Sequence, residues 1–290
     1  MKIATGLFHL GRRNARPWHP SGSSKAQCTN QLYVMATHIT FKNAASRVVS
    51  LLENAAATNG DSAFVDAWAK IFEVPGNLEQ TRRETQVSRL ITALASQIEA
   101  IQAALTAQQV PHDLIEMPIR RVLNMLALGH LRATWNGVNI LQQDVIISYK
   151  WFAHVLPADG EKLDSTAFAE LEALLIDLEK IARQNQLPTA LSTYLERVIE
   201  DIKIAISFIP VSGIEPLRQA VGKAIFEASF EKEKLKSAVE SIPVETSQTA
   251  ISVLSQTLKI AAAVSGDLVK MEKFLKIASG DNEWLPKLLG

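Results

Sequence analysis

The chain has 290 residues, of which 47% are hydrophobic, and its 30 basic residues balance 30 acidic ones. This length allows one large domain or two smaller ones, and the apolar share is enough to bury a substantial core. Because the formal net charge is zero, there is no general electrostatic reason to expect nucleic acid or an anionic membrane surface as a partner.

Residues 1–34 differ from the rest of the chain because they contain five basic residues and no carboxylate. Helical periodicity begins only after Met35. We interpret this segment as a disordered basic tail or as sequence upstream of a true start at Met35, and a targeting segment is the third interpretation. It also contains Cys28, the single cysteine, so an intrachain disulfide and an all-cysteine metal site are excluded. This cysteine usage fits a reducing cytoplasm, where we expect the protein to reside.

The chain from residue 35 to residue 156 is predicted to form helices, because apolar residues recur three and four positions apart. We expect Asp61 to cap the second helix, and Asp113 with Glu116 to form a capping box. The third helix carries an a/d pattern, which is typical of an antiparallel bundle: Val87, Ile91, Leu94, Ile98, Ile101 and Leu105. The expected helices are Ile39–Ala57, a short one after Asp61 that carries Phe64, Trp68 and Phe72 on one face, Leu78–Gln109, one from between Asp113 and Pro118 to about Leu131, and Asn136–Val155.

The second half, residues 163–290, follows the loop LPADGEKLD and shows the same periodicity. Its most apolar stretch runs from Ile204 to Phe226, but only 11 uncharged residues separate Lys203 from Glu215, whereas a bilayer span needs about 20. Pro210 and Gly213 predict a buried turn there, with Ser212 and Glu215 spaced as a capping box. The expected helices are Ser165–Gln184, Thr189–Phe208, one after Pro216, a possible short one in the polar passage that follows, and Thr246–Ala278, which Gly266 could bend or split.

Together these patterns predict an all-α fold, a bundle or array of about 8–10 antiparallel helices with no sheet. Residues 35–156 and 163–290 would form two helical halves packed against each other. The apolar stretch at Ile204–Phe226 is interpreted as a core corner between two helices, with a ligand pocket or membrane insertion as alternatives.

No motif for catalysis, phosphate binding or a dinucleotide occurs in the chain. His112 and Glu116 stand four residues apart, but two ligands are too few for a tight transition-metal site. We therefore expect no catalytic residue, no metal and no cofactor. An enzymatic activity stays open, because catalytic residues need not be close in sequence. If the protein binds a small ligand between helices, the expected lining is Trp135, Tyr149, Trp151 and His154.

Two stretches carry a resemblance to a known type of protein. The sequence DAWAKIF followed by a long heptad helix, and then AISFIPVSGIEPLRQAVGKAIF, is similar to an uncharacterised family of bacterial all-helical proteins. Some members of that family accompany mobile or anti-phage loci. The resemblance implies a helical fold and no established activity, so it transfers no catalytic residue to this chain.

The leading functional prediction is a helical protein–protein interaction or regulatory subunit that binds another protein or itself, in a bacterial defence or multi-component system. Nucleic acid and membrane are not indicated as partners. One alternative is an enzyme or small-ligand receptor with a pocket between helices. Another is a membrane-active effector whose late amphipathic helices rearrange when triggered.

Overall fold

The computed structural model describes residues 41–58, 60–138, 141–159, 165–183 and 187–266, all of which lie within one compact unit. In these ranges the chain forms eleven α-helices and one 3-10 helix, η1, with no β-strand, so the all-α prediction is confirmed. The only sheet-like pairing among the described residues is an isolated bridge between Ala63 and Thr134. The predicted tail at residues 1–34 lies outside the described residues.

The helices follow one another along the chain with short connections. Their bounds are α1 Ala44–Ala57, α2 Phe64–Ile71, α3 Gln80–Ala107, α4 His112–Met125, η1 Leu128–Arg132, α5 Trp135–Val138, α6 Gln143–Val155, α7 Ser165–Ala182, α8 Thr189–Ser212, α9 Glu215–Phe230, α10 Lys232–Glu240 and α11 Val244–Val264.

Four helices of the first half, α1, α3, α4 and α6, pack around one hydrophobic core. The a/d residues predicted on α3 face this core, since each of the six is at most 1% exposed. Helix α1 contacts α3 and α6, and α4 contacts the same two helices. The arrangement is that of a four-helix bundle, with α2, η1 and α5 closing one end.

A second hydrophobic core lies among α7, α8, α9 and α11, with α10 beside it. Helix α8 reaches both cores. Most of its apolar side chains face the second core, whereas Phe208 and Val211 pack against the first. The C-terminal end of α8 therefore joins the two cores.

The break predicted at Ile209–Gly213 is wrong, because α8 continues through Pro210 to Ser212. Proline removes one backbone donor and costs about 3 kcal/mol in a helix interior. Here it falls in the last turn, and the flanking side chains of Ile209 and Val211 are buried. The helix ends at Gly213, whose amide donates to the Ile209 carbonyl at 2.9 Å.

Several predicted helix starts also differ from the structure. Asp61 does not cap α2; the N-cap is Ala63, and Asp61 accepts a hydrogen bond from Asn136 Nδ2 at 2.7 Å. Neither predicted capping box forms, since no side chain caps α4 or α9. The helix expected over Asn136–Val155 is divided into α5 and α6. Helix α11 ends at Val264, before Gly266 with φ 70°, and the rest of the predicted last helix lies outside the described residues.

We expect Glu172→Gln on α7 to stabilise the protein at neutral pH. Burial raises the pKa of Glu172, whose Oε1 is shielded from solvent and has no hydrogen-bond partner among the described residues. A raised carboxyl pKa makes ionisation unfavourable in the folded state, so the penalty appears as pH rises above the unfolded pKa. The gain should vanish below about pH 4, where the carboxyl is protonated in both states.

Urea unfolding across the pH range measures this difference. Glu170→Gln, at an exposed position on the same helix, is the matched control and should change the unfolding free energy by less than about 0.5 kcal/mol. An equal gain for Glu172→Gln at pH 4 and pH 7 would contradict the burial argument.

Candidate functional site

Trp135, the first of the four residues predicted to line a pocket, is fully buried in an aromatic cluster of the first core. Its Nε1 donates to the carbonyl of Thr58 at 2.8 Å, which ties α5 to the end of α1. Its ring centroid lies 5.7 Å from that of Trp68, with the rings nearly perpendicular. This side chain contributes packing and one hydrogen bond to the end of the bundle.

Tyr149 is also fully buried, on the inner face of α6. Its ring lies 5.2 Å from the ring of Phe152 in an edge-on arrangement. Burial raises the pKa of its hydroxyl, which has no hydrogen-bond partner among the described residues.

Trp151 and His154 lie on the outer side of α6, and both are exposed. The Trp151 ring contacts Phe152 with a centroid distance of 5.8 Å, so Phe152 touches both Tyr149 and Trp151. Tyr149 and Trp151 thus both contact Phe152, while Trp135 packs in the separate cluster around Trp68. Ligand binding by the four residues stays a prediction.

The two buried tyrosines in the described part of the chain should respond differently to loss of the hydroxyl. Tyr194→Phe removes a bond of 2.9 Å to the Ala224 carbonyl and should cost about 0.5–1.5 kcal/mol of unfolding free energy. Tyr149→Phe removes an unbonded buried hydroxyl and should be neutral or slightly stabilising. Chemical denaturation of both variants measures the difference, and an equal loss in the two would contradict this account of Tyr149.

Four of the eight large apolar side chains that are exposed among the described residues lie on two neighbouring helices of the first half, α4 and α6. We name the following set the α4–α6 surface, with the exposed fraction of each residue: Leu114 (51%), Met117 (45%), Ile147 (57%) and Trp151 (41%). On each helix the two residues are three or four positions apart, so they lie on one helix face.

An ion pair connects these two helix faces. Arg121 Nη1 donates to Asp144 Oδ2 at 2.8 Å and to Gln142 Oε1 at 3.1 Å. Arg121 lies one turn beyond Met117 on α4, and Asp144 lies one turn before Ile147 on α6. The ion pair therefore places the two apolar rows next to each other at one end.

The two helices run antiparallel. The end of α4 leads through η1 to Trp135, which bonds to Thr58 at the end of α1. Helix α6 begins close by in the chain and returns along α1, since Lys150 pairs with Glu53 and Leu156 accepts from Asn43. The end of α4 and the start of α6 thus lie at the same end of the bundle.

Equal spacing keeps the two rows side by side. Leu114 is seven residues from Arg121, and Trp151 is seven residues from Asp144, which is about 10.5 Å along each helix. We infer that Met117 lies beside Ile147 and Leu114 beside Trp151. The surface is flanked by polar side chains, including Arg120, which contacts Met117 Sδ at 3.7 Å.

Sequence reasoning did not identify this surface. Val145, Tyr149 and Phe152 occupy the inner side of α6, whereas Trp151, which was predicted to line a pocket, lies on its outer side. The available signal was the pair Ile147 and Trp151, two large apolar residues four apart on the face opposite the core.

A concave feature lies on the outer face of α3. It is an open groove of about 690 Å³, and its lining is Thr81, Glu84, Thr85, Ser88, Arg89, Thr92, Ala93, Ser96, Leu131 and Phe208. Three of its hydroxyls donate to carbonyls of their own helix, for example Thr92 to Ser88 at 2.9 Å. These three hydroxyl protons are occupied. The lining therefore combines methyl groups, Phe208 and Leu131 with the charged side chains of Glu84 and Arg89.

The described part of the chain has few grouped metal ligands and one helix of membrane-spanning length. It contains no group of three or more side chains able to hold a metal ion, and His112 lies 3.5 Å from Glu116 on the exposed start of α4. One helix there, α3, is long and apolar enough to cross a membrane by length and composition alone. A core helix of a globular protein meets the same criteria, and the a/d face of α3 is buried.

Comparison of the chain with protein families, curated proteins and solved structures finds no match.

Proposed function

We propose that this protein is a helical interaction or regulatory subunit that binds a partner protein through the α4–α6 surface. The observation that supports the proposal is the two adjacent rows of exposed apolar side chains on antiparallel helices. Most large apolar side chains in the described helices are buried, and half of the eight exposed ones lie on these two adjacent helices. Contiguous exposed apolar patches often mark binding sites, whereas single exposed apolar side chains are common and carry no such meaning.

The composition of the surface fits the centre of a protein interface. Tryptophan, methionine and arginine are enriched in such centres. Here Arg120 contacts Met117, and Trp151 belongs to the row on α6. The charges around the rows are mixed in sign, with Glu116 and Asp144 beside the arginines. A partner would thus be held by apolar burial, and the charged rim would orient it.

The shape favours an amphipathic helix as the bound element. Packed helices lie about 8–10 Å apart, so two rows on neighbouring helices leave a shallow groove between them. A helix that presents apolar residues at positions i, i+3 or i+4 and i+7 covers the length of both rows. The resemblance to bacterial helical proteins at mobile or anti-phage loci supports a partner from such a multi-component system.

The experiment is affinity purification of tagged protein from cells that express it naturally, comparing the native chain with Trp151→Glu. The substitution places a carboxylate where a partner would bury an indole, and loss of such an anchor costs 2 kcal/mol or more, about a 30-fold loss of affinity. We expect the co-purified partner to be lost, with unchanged circular dichroism.

Phe226→Glu on α9 is the matched control. Phe226 is 59% exposed and lies on the second half, so the substitution adds the same charge away from the proposed surface. We expect it to retain the partner. If Trp151→Glu retains the partner as well, or if both variants lose it equally, the proposed surface is wrong.

A further inference from the structure

Among the described helices of the second half, α10 buries the fewest side chains. Of its residues only two, Leu235 and Ala238, are buried, whereas α9 buries six and α11 nine. Both belong to the second core, and Leu235 is fully buried. Only a small apolar area is therefore returned to water if α10 separates from α8, α9 and α11, the helices that it contacts.

The sequence of α10 is too short and too polar to form a stable helix by itself. The helix has nine residues, and its sequence KEKLKSAVE is mostly charged or polar. Isolated helices shorter than about 12–15 residues are marginal in water. No side chain caps the start of α10, so its first amides gain no such support. The helix therefore depends on its contacts with the neighbouring helices.

An ion pair joins the start of α10 to α8. Arg197 of α8 donates from Nη2 to Oε1 of Glu231, the residue directly before α10, at 2.9 Å. Lys234 of α10 lies 3.6 Å from the same carboxylate. The side chains of Arg197 and Glu231 are 40% and 22% exposed, so salt in the solvent screens their attraction. The pair therefore holds α10 more firmly in dilute salt than in concentrated salt.

We propose that α10 opens from the second core as a unit while α9 and α11 stay folded, and that salt favours the open state. Segments with few buried apolar contacts open locally at a lower free energy than that of global unfolding. Opening exposes the core side chains that Leu235 and Ala238 cover, so it forms an apolar surface that the closed state lacks. This inference concerns the second half and does not depend on the proposed function of the α4–α6 surface.

The test is amide hydrogen exchange of the full chain, followed by mass spectrometry of peptides from α9, α10 and α11. At neutral pH and low salt we expect the α10 amides to exchange at least about tenfold faster than those of α9 and α11. Raising NaCl from about 0.05 M to about 0.5 M shortens the screening length severalfold. The α10 rate, relative to the α9 rate, should then rise by about two- to fivefold.

Arg197→Gln removes the ion pair, so it should raise the α10 rate by about two- to fivefold at low salt and remove most of the salt dependence. Lys180→Gln is the matched control, because it breaks an exposed ion pair within α7, with Asp177 at 2.8 Å, and should leave α10 unchanged.

Equal exchange rates in α9, α10 and α11 would overturn the proposal, because the second half would then open only as a whole. An α10 rate that does not change with NaCl would also overturn it. So would an Arg197→Gln variant whose α10 exchanges like that of the native chain, or whose α9 and α11 accelerate as much as α10.

Discussion

Trp68→Ala should lower the free energy of unfolding by about 3–5 kcal/mol, the largest effect we expect from any single substitution in this chain. Trp68 is fully buried on α2 and stacks on Phe72 with ring centroids 4.9 Å apart. It also meets Phe64 and Trp135 edge-on, at 6.3 Å and 5.7 Å. Removing the indole leaves a cavity that these rigid rings cannot fill, which adds to the lost transfer energy.

Thermal unfolding measures this loss, and Trp151→Ala is the matched control. For a chain of this size, 3–5 kcal/mol corresponds to a fall in Tm of about 6–20 °C. Trp151 is partly exposed, so its truncation should change stability by only about 0.5 kcal/mol. Similar Tm values for the two variants would show that the aromatic cluster does not hold α2 and α5 to the bundle.

Gly213→Ala should destabilise the protein by about 1–3 kcal/mol, because the residue has φ 69° and ψ −152°. That backbone region is accessible essentially only to glycine, since a Cβ clashes with the neighbouring carbonyl. The strain lies at the joint between α8 and α9, where Ile214 and Leu217 are buried. The chain cannot relax there without displacing these side chains from the second core.

Gly222→Ala is the control, and it should change the unfolding free energy in the opposite direction. Gly222 is exposed in the middle of α9, and an added Cβ meets no atom within 4 Å. Alanine favours a helix interior over glycine by about 0.5–1 kcal/mol, so this variant should be more stable than the native chain. Urea denaturation of both variants should give shifts of opposite sign; a stabilising Gly213→Ala would contradict the observed backbone conformation.

The helical periodicity was enough to predict the all-α fold, because core packing of helices depends mainly on apolar spacing. The six a/d residues of α3 are buried as expected. Residue types at the helix ends predicted the helix bounds less well. Pro210 was expected to break a helix, but burial of Ile209 and Val211 between two cores outweighs the lost backbone bond.

The candidate surface was harder to predict, because it depends on which helices are neighbours. In the sequence Trp151 stands beside other apolar residues, but the sequence does not show that its side chain faces outward beside α4. Only the contact between Arg121 and Asp144 identifies the neighbouring face. The α3 groove was hard to predict for the same reason, because two of its lining residues, Phe208 and Leu131, come from distant parts of the chain.

Site-specific photo-crosslinking in cells that express the protein naturally tests the central claim most directly. A photoreactive amino acid at Met117 or Ile147, one residue from each helix of the α4–α6 surface, should form a covalent adduct with one partner protein. The same group at Phe226 or Phe230, exposed on α9, should form none. Adducts at all four positions, or at neither Met117 nor Ile147, would contradict the claim that this surface binds a partner.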